Sequence, residues 1–386
     1  MRVLMLPSWY ATDDKPWRGT FFQDQALALI RHGHEVDLAF VERKSFSRLT
    51  PAAALRHHFQ IESANENGIP TSRMKAWGIC PQTTRGAMLW TALTRRLVRW
   101  YVESNGVPDV IHGHGAMWGG YAAMLCSRDL GIPYVVTEHA SSVMQDRLTA
   151  KNRALIAETY GNASAVIAVS DALKRRIASA VVIANCVDAE YFRPPRHDRA
   201  TTPFVFLFVG DLVRSKRIDL LLRAFAVYRR DHPASRLVIA GAGKERRRLA
   251  ELAGDAVEFT GTLSRSEIRR QMWFANALVL PSDFETFGVV LIEALATGIP
   301  VIATRCGGPE EFVTAADGLL INCGDEAALT RAMTSIRTRQ FRAERLASSA
   351  GARFGYDVIA QQLCDVYQRV VARSPQRRAA ARAASA

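Results

Sequence analysis

The chain has 386 residues and a formal charge of +13, from 50 basic and 37 acidic side chains, with 48% apolar and 23% charged residues. That balance excludes a disordered chain, and the length exceeds what one growing core accommodates, so two domains of roughly 180–200 residues are expected. No stretch reaches the ~20 uninterrupted apolar residues of a membrane-spanning helix, and the scattered Cys80, Cys126, Cys186, Cys306, Cys323 and Cys364 offer neither a disulfide framework nor a CxxC metal site, favouring free thiols in a reducing cytosol.

The opening apolar run at 2–6 fits a buried parallel strand and is too short for a signal-peptide core. A polar loop over 8–19 leads to a helix from about 21 to 31, which Gly33 stops, and then to a strand at 35–41. The segment 44–82 shows no regular pattern. Residues 86–102 read as a basic helix with Trp90, Trp100 and Tyr101 among aliphatics: either a packed helix with its arginines in water, or a helix lying on an anionic membrane surface. Strands follow at 107–112, 133–137 and 165–169, and Ser170-Asp171 supplies an N-cap. The first domain is thus expected over 1–192.

Residues 193–199, stiff and charged, read as unable to pack, which places a linker at 193–202. The alternation restarts with a strand at 204–209, a helix at 218–230, and a strand at 236–240 ending in Gly241-Ala242-Gly243. Strands at 256–259, 277–280 and 300–304 complete a second domain over 203–356; helices are expected at 326–349 and 358–373. The last helix, within 357–373, is expected to pack back on the first domain, ahead of a disordered Ala/Arg-rich tail at 374–386. Strand–helix alternation imposes parallel sheets with right-handed crossovers, whose ligands bind at the carboxyl ends of strands. The expected fold is α/β, two Rossmann-like doubly wound domains facing across a cleft.

The sharpest chemical pattern is Glu285-Thr286-Phe287-Gly288-Val289-Val290-Leu291-Ile292-Glu293. Glu285 follows a strand, and Glu293 lies one to two turns inside the helix that Gly288 opens. A diphosphate at that helix N-terminus would meet free backbone N–H groups and the positive end of the macrodipole. The two carboxyl groups would then take hydroxyls on either side of it.

With Leu280-Pro281-Ser282 before it and Glu293-Ala294-Leu295-Ala296-Thr297-Gly298-Ile299-Pro300 and Gly307-Gly308-Pro309-Glu310-Glu311 after it, this stretch resembles the C-terminal signature of glycosyltransferase family 4, retaining enzymes of the GT-B fold. Arg18-Gly19-Thr20-Phe21-Phe22, Asp109-Val110-Ile111-His112-Gly113-His114, Asn185-Cys186-Val187-Asp188, Phe208-Val209-Gly210 with Lys216, and Gly241-Ala242-Gly243 extend the resemblance over nearly the whole chain. The resemblance implies that Glu293 binds the donor ribose and Glu285 the transferred sugar, while Phe287, Gly288 and Val289 present N–H groups to the diphosphate. It further implies that Lys216 neutralises the leaving group and that His114 lies near the transferred sugar. Gly19 and Gly210 match loop glycines that let backbone approach phosphate. Where the family carries Arg after this second glycine, the chain has Asp211, so either Arg214 or Arg217 is expected to supply the second positive charge. His112, Glu138 and His139, at strand ends, are acceptor-side candidates.

The resemblance implies a retaining transfer from a nucleotide-diphosphate sugar to a glycan or lipid-linked acceptor, in cell-surface polysaccharide or glycolipid synthesis. No Asp-x-Asp pair is present, so no metal and no cofactor are expected. The positive charge suits a sugar nucleotide or an anionic membrane, and no nucleic-acid module is visible. The alternatives are a non-catalytic sugar-nucleotide-binding protein or another GT-B enzyme such as an epimerase. A cytoplasmic location, peripheral on the inner membrane face, fits the first reading.

Overall fold

A computed structural model describes residues 1–12, 15, 17–44, 50–51, 59–77, 84–196 and 199–373; the tail expected at 374–386 lies outside them, as do His197 and Asp198 of the expected linker. The chain divides into two compact units. The first comprises Met1–Val169, Lys174–Ile183 and Ile359–Ala386, the second Ser170–Leu173 and Ala184–Val358.

In the first unit, β1 (Arg2–Pro7), β2 (Glu35–Lys44), β3 (Ile61–Glu66), β4 (Ile69–Trp77), β5 (Val110–His114), β6 (Tyr134–Glu138), β7 (Ala165–Ala168) and β8 (Val181–Val182) form one sheet in the order β3-β4-β2-β1-β5-β6-β7-β8. Every pairing is parallel except β3 with β4. The helices are α1 (Thr20–Arg31), α2 (Thr84–Asn105), α3 (Tyr121–Leu130), α4 (Ser141–Met144) and α5 (Ala150–Gly161), with a π-turn at Gly115–Gly120; the short α6 (Asp171–Lys174) is divided, Asp171 to Leu173 counting with the second unit. Val3, Leu4, Met5 and Leu6 are fully buried, as strands covered on both faces require.

The second unit has an all-parallel sheet of β9 (Val205–Val209), β10 (Arg236–Ala240), β11 (Val257–Gly261), β12 (Ala277–Leu280), β13 (Val301–Thr304) and β14 (Gly318–Ile321), ordered β11-β10-β9-β12-β13-β14. Its helices are α7 (Ile218–Asp231), α8 (Arg246–Leu252), α9 (Arg265–Phe274), α10 (Val289–Ala296), α11 (Pro309–Phe312), α12 (Glu326–Thr338) and α13 (Ala343–Phe354). Helix α14 (Tyr356–Arg373) follows, and from Ile359 onward it belongs to the first unit, where Leu363 and Tyr367 are fully buried.

The structure departs from the sequence reading in several places. The stretch without a pattern holds the β3–β4 hairpin, closed by Asn67 and Gly68, both at positive φ (53° and 89°), the conformation of a tight hairpin turn. Strand β5 starts at Val110 rather than 107, because Pro108 has no N–H to give the ladder. The expected helix over 326–349 is two helices, α12 and α13. The domain boundary falls at Ile183–Ala184, ahead of the expected linker, and described residues of that linker are tied into the second unit by hydrogen bonds. Trp273 Nε1 donates to the Arg193 carbonyl at 2.9 Å, Asn276 donates to Ala200 at 2.8 Å, and the Arg199 guanidinium caps the carbonyls of Thr297 and Gly298.

Helix α2 turns its aromatic residues inward. Trp90 is 3% exposed and donates to the Val41 carbonyl, and Tyr101 is 1% exposed with its hydroxyl on Asp37. The packed-helix alternative therefore describes these two side chains. Among the described residues, no helix is long and apolar enough to cross a membrane.

Candidate active site

In the second unit the loop after β9 runs backbone-to-backbone along the loop after β10. Gly210 N donates to Ala240 O at 3.0 Å and Leu212 N to Ala242 O at 2.9 Å. A methyl at Gly241 would collide with the Gly210 carbonyl oxygen, which is why this glycine has no side chain to spare. A single 3-10 turn, Arg214–Lys216, then points Lys216 at the loop after β12, where its ammonium donates to Glu285 Oε1 at 2.6 Å. Ser282 Oγ donates to the same oxygen at 2.7 Å, and Asp283 N donates to Ser215 O at 2.8 Å, tying the two loops together.

The Glu285 loop is fixed from its other side. Its N–H donates to Cys306 O at 3.3 Å, and its carbonyl accepts from Gly308 N at 2.9 Å. Phe287 is buried and stacks on Phe312, with ring centroids 4.9 Å apart and Phe354 edge-on at 5.8 Å. Gly288, at φ 95°, turns the chain into α10 as an N-cap that no side chain satisfies. The amides at Gly288 and Val289 therefore open this helix with their donors available, about one turn from the lysine–glutamate pair in sequence. Glu293 lies one turn further along, half-buried.

Of the two candidates for the second cation, Arg217 is engaged: it holds Asp283 at 3.0 Å and Asp219 at 3.5 Å. Arg214 is exposed and has no such pair among the described residues, and Asp211 is exposed. Ser282 is a positioning residue that sequence reasoning passed over, although it stands within the quoted Leu280-Pro281-Ser282.

In the first unit, adjacent strands β5 and β6 bring three histidines together. His114 Nδ1 lies 3.2 Å from His139 Nε2; His112 shares hydrogen bonds with Thr137 Oγ1 at 2.7 Å and Tyr367 OH at 2.6 Å. His114 Nε2 and His139 Nδ1 have no hydrogen-bond partner among the described residues. Phe22 lies 4.8 Å from the His114 ring and Phe21 4.8 Å from His139. That approach uses Gly19: at φ 78° it caps α1, and a Cβ there would stand 2.9 Å from the Phe22 ring.

Two acceptor-side expectations meet a different environment. His112, His114 and Glu138 are each 0% exposed, and of these three only His114 has a side-chain polar atom without a partner among the described residues. Both ring nitrogens of His112 are occupied. Glu138 Oε1 accepts from the amides of His139 and Ala140 at 2.8 and 2.7 Å, while Oε2 accepts from Ala116 N at 3.0 Å and Tyr160 OH at 2.6 Å. Its carboxyl group shapes the turn that carries His139.

Burial pushes the pKa of His112 and of His139 down to about 3 and that of His114 well below its ordinary value, with repulsion from the neighbouring rings added for the latter two. The rings are neutral in the folded chain, whereas the unfolded chain takes up their protons below about pH 6.5. Their contribution to stability is complete above that pH and lost as pH falls toward 3, by up to ~1.4 kcal/mol per histidine per pH unit. Urea unfolding between about pH 7 and pH 5 should show this slope, and His139→Gln should flatten it by about a third. An unchanged slope in the variant would refute the assignment.

The Glycosyltransferase Family 4 profile matches residues 19–191, and the Glycosyl transferases group 1 profile matches residues 192–353. A D-inositol 3-phosphate glycosyltransferase of Frankia alni is 30% identical over 370 residues, 83% of this chain and 86% of that protein. The putative teichuronic acid biosynthesis glycosyltransferase TuaC of Bacillus subtilis is 27% identical over 365 residues, 88% of this chain and 90% of its own. Among solved structures, Anabaena HepE in complex with UDP and glucose superposes with a TM-score of 0.70 at 20% identity, covering 95% of this chain and 99% of that one. With two Rossmann-like parallel-sheet units and these matches across both of them, the chain belongs to the glycosyltransferases of family 4 and group 1, of the GT-B fold.

Proposed function

We propose that the chain is a retaining hexosyltransferase that moves a sugar from a nucleoside-diphosphate sugar to a glycan or lipid-linked acceptor, in cell-surface polysaccharide or glycolipid synthesis. The observation that carries this reading is the Lys216–Glu285 pair at 2.6 Å, next in the chain to the uncapped start of α10. A carboxyl group suited to sugar hydroxyls and an ammonium suited to phosphate meet there at one point, as the junction between a sugar and its diphosphate requires. Support comes also from TuaC, named for teichuronic acid synthesis, and from HepE, solved with UDP and glucose.

In this reading the amides of Phe287, Gly288 and Val289, together with Lys216 and Arg214, hold the diphosphate, with Gly210 and Gly241 keeping the adjoining loops close. Arg217 positions Asp283, Glu293 takes the ribose and Glu285 the transferred sugar. His114, with one ring nitrogen unpartnered among the described residues, is the sugar-contacting candidate of the first unit, and His139 is its partner. The acceptor hydroxyl oxygen bonds to the anomeric carbon on the face from which the diphosphate departs. The carbon–oxygen bond to phosphate breaks with its electron pair, and the departing phosphate oxygen takes the hydroxyl proton, so configuration is retained. Charge on the leaving group is met by the lysine, the arginine and backbone amides, so we assign no metal to the step.

Incubation with UDP-, GDP- and ADP-sugars and an oligosaccharide acceptor pool, in the presence of a chelator, tests this. Proton NMR of the product should show the anomeric configuration of the donor. An inverted product would end the retaining assignment, activity lost to the chelator would end the metal-free one, and nucleotide binding without transfer would return the chain to a binding protein.

Cytoplasmic work against the inner membrane face belongs to the same proposal. Outward on α2 stand Met88 and Leu89, 67% and 45% exposed, with exposed Arg96 on the same helix. Flotation with phosphatidylglycerol liposomes should retain the chain and release the Met88→Asp/Leu89→Asp variant. Equal flotation of both would remove the membrane from the proposal.

A further inference from the structure

The corner between α12 and α13 borders a cavity of about 500 Å3. Arg339, Arg342 and Arg345 line it, with Phe341, Leu346 and Ala316 supplying apolar wall. All three arginines are exposed, none has a hydrogen bond or ion pair among the described residues, and no carboxylate borders the cavity. Arg217, Arg223, Arg229 and Arg353 each hold an acid, and Arg199 is spent on backbone carbonyls. Three guanidinium groups around one concavity repel one another, a cost that an anion between them removes. The twelve-residue helix α13 begins at the same place, and its N-cap, Arg342, makes no side-chain hydrogen bond to the first turn. Its free amides add to the positive potential there, which Glu344 of the same turn offsets in part.

We propose that this cavity is a binding site for a phosphate ester. Planar guanidinium forks match phosphate oxygens two at a time, which ammonium groups do not. The apolar wall of Phe341, Leu346 and Ala316 accommodates the organic part of the ligand. Neither the diphosphate loop at Gly288 nor Lys216 takes part in it.

Isothermal titration of glycerol phosphate into the full-length chain tests the site. Carrying Lys216→Ala in every sample weakens binding at the diphosphate loop, and the arginine variants separate what remains of it from the cavity. One-to-one binding is expected, weakening as sodium chloride is raised and falling by at least about ten-fold for each arginine changed to Gln. A parallel arm sediments the chain with phosphatidylglycerol or phosphatidylcholine vesicles. Selective, arginine-dependent binding to phosphatidylglycerol without heat from glycerol phosphate assigns the site to a lipid headgroup; the reverse assigns it to a free ester. Ala316→Trp, which fills the cavity and keeps every charge, should abolish binding in either case. Unchanged binding in the Arg339→Gln/Arg342→Gln/Arg345→Gln variant, or no binding in either arm, would overturn the proposal. All three side chains are exposed, so the variant should melt with the parent chain.

Discussion

Lys216→Ala is expected to lower kcat by about 10²–10³, roughly 3–4 kcal/mol of barrier, while the folded chain persists. The lysine side chain is 24% exposed and the Glu285 side chain 11%, so the pair is partly withdrawn from water, where a charge acts over a short range without full screening. In the proposed transfer, negative charge grows on the departing diphosphate only as the bond to the sugar breaks, so the loss should fall on kcat more than on KM. Glu285 keeps its hydrogen bond from Ser282 and its two backbone bonds after the change, which is why the loop should hold its shape. Lys216→Arg restores charge at a different reach and should recover part of the loss. Steady-state kinetics beside a thermal melt decide the matter. An unaltered kcat, or a kcat loss that tracks a lowered Tm, would be incompatible with the role assigned to Lys216.

Glu138→Ala should act through the opposite channel, on stability. Its carboxyl group receives three backbone amides and a tyrosine hydroxyl inside a fully buried site. Removing it strands donors that cost ~1–3 kcal/mol each when buried unmatched, so a total of about 3–5 kcal/mol is expected after local relaxation. Glu138→Gln keeps the volume and one acceptor oxygen, but turns an NH2 group toward donors, and should fall between the two. Urea unfolding followed by circular dichroism reads both. A cost below about 1 kcal/mol for the alanine variant would mean the turn around His139 does not depend on this carboxyl group.

Much of the fold was legible because parallel strands buried on both faces read as short apolar runs; β10 and β12 lie where those runs lie. The β3–β4 hairpin escaped because Ile61–Glu66 is mostly polar and exposed, leaving Asn67-Gly68 as the remaining signal. The α12–α13 corner escaped for a different reason: residues 339–342 contain no glycine or proline to mark the break. In the candidate site, motif and spacing singled out Glu285, Gly288 and Lys216, and the structure pairs Lys216 with Glu285. The occupation of Arg217 by Asp283 was not legible, since the partners lie 66 residues apart and only the touching loops join them. For Glu138 and His112, proximity to a strand end does not say whether a side chain finds its partners within the protein. Thr137, Tyr160 and Tyr367 supplied those partners here.

The hydrogen bond from Tyr367 to His112 spans 255 residues of sequence. During synthesis, the histidine-bearing strand leaves the ribosome long before the tyrosine that closes over it, and the entire second unit must emerge in between. The first unit therefore waits as an incompletely covered sheet while its neighbour folds, and it reaches its finished form only after the later-made unit has been produced.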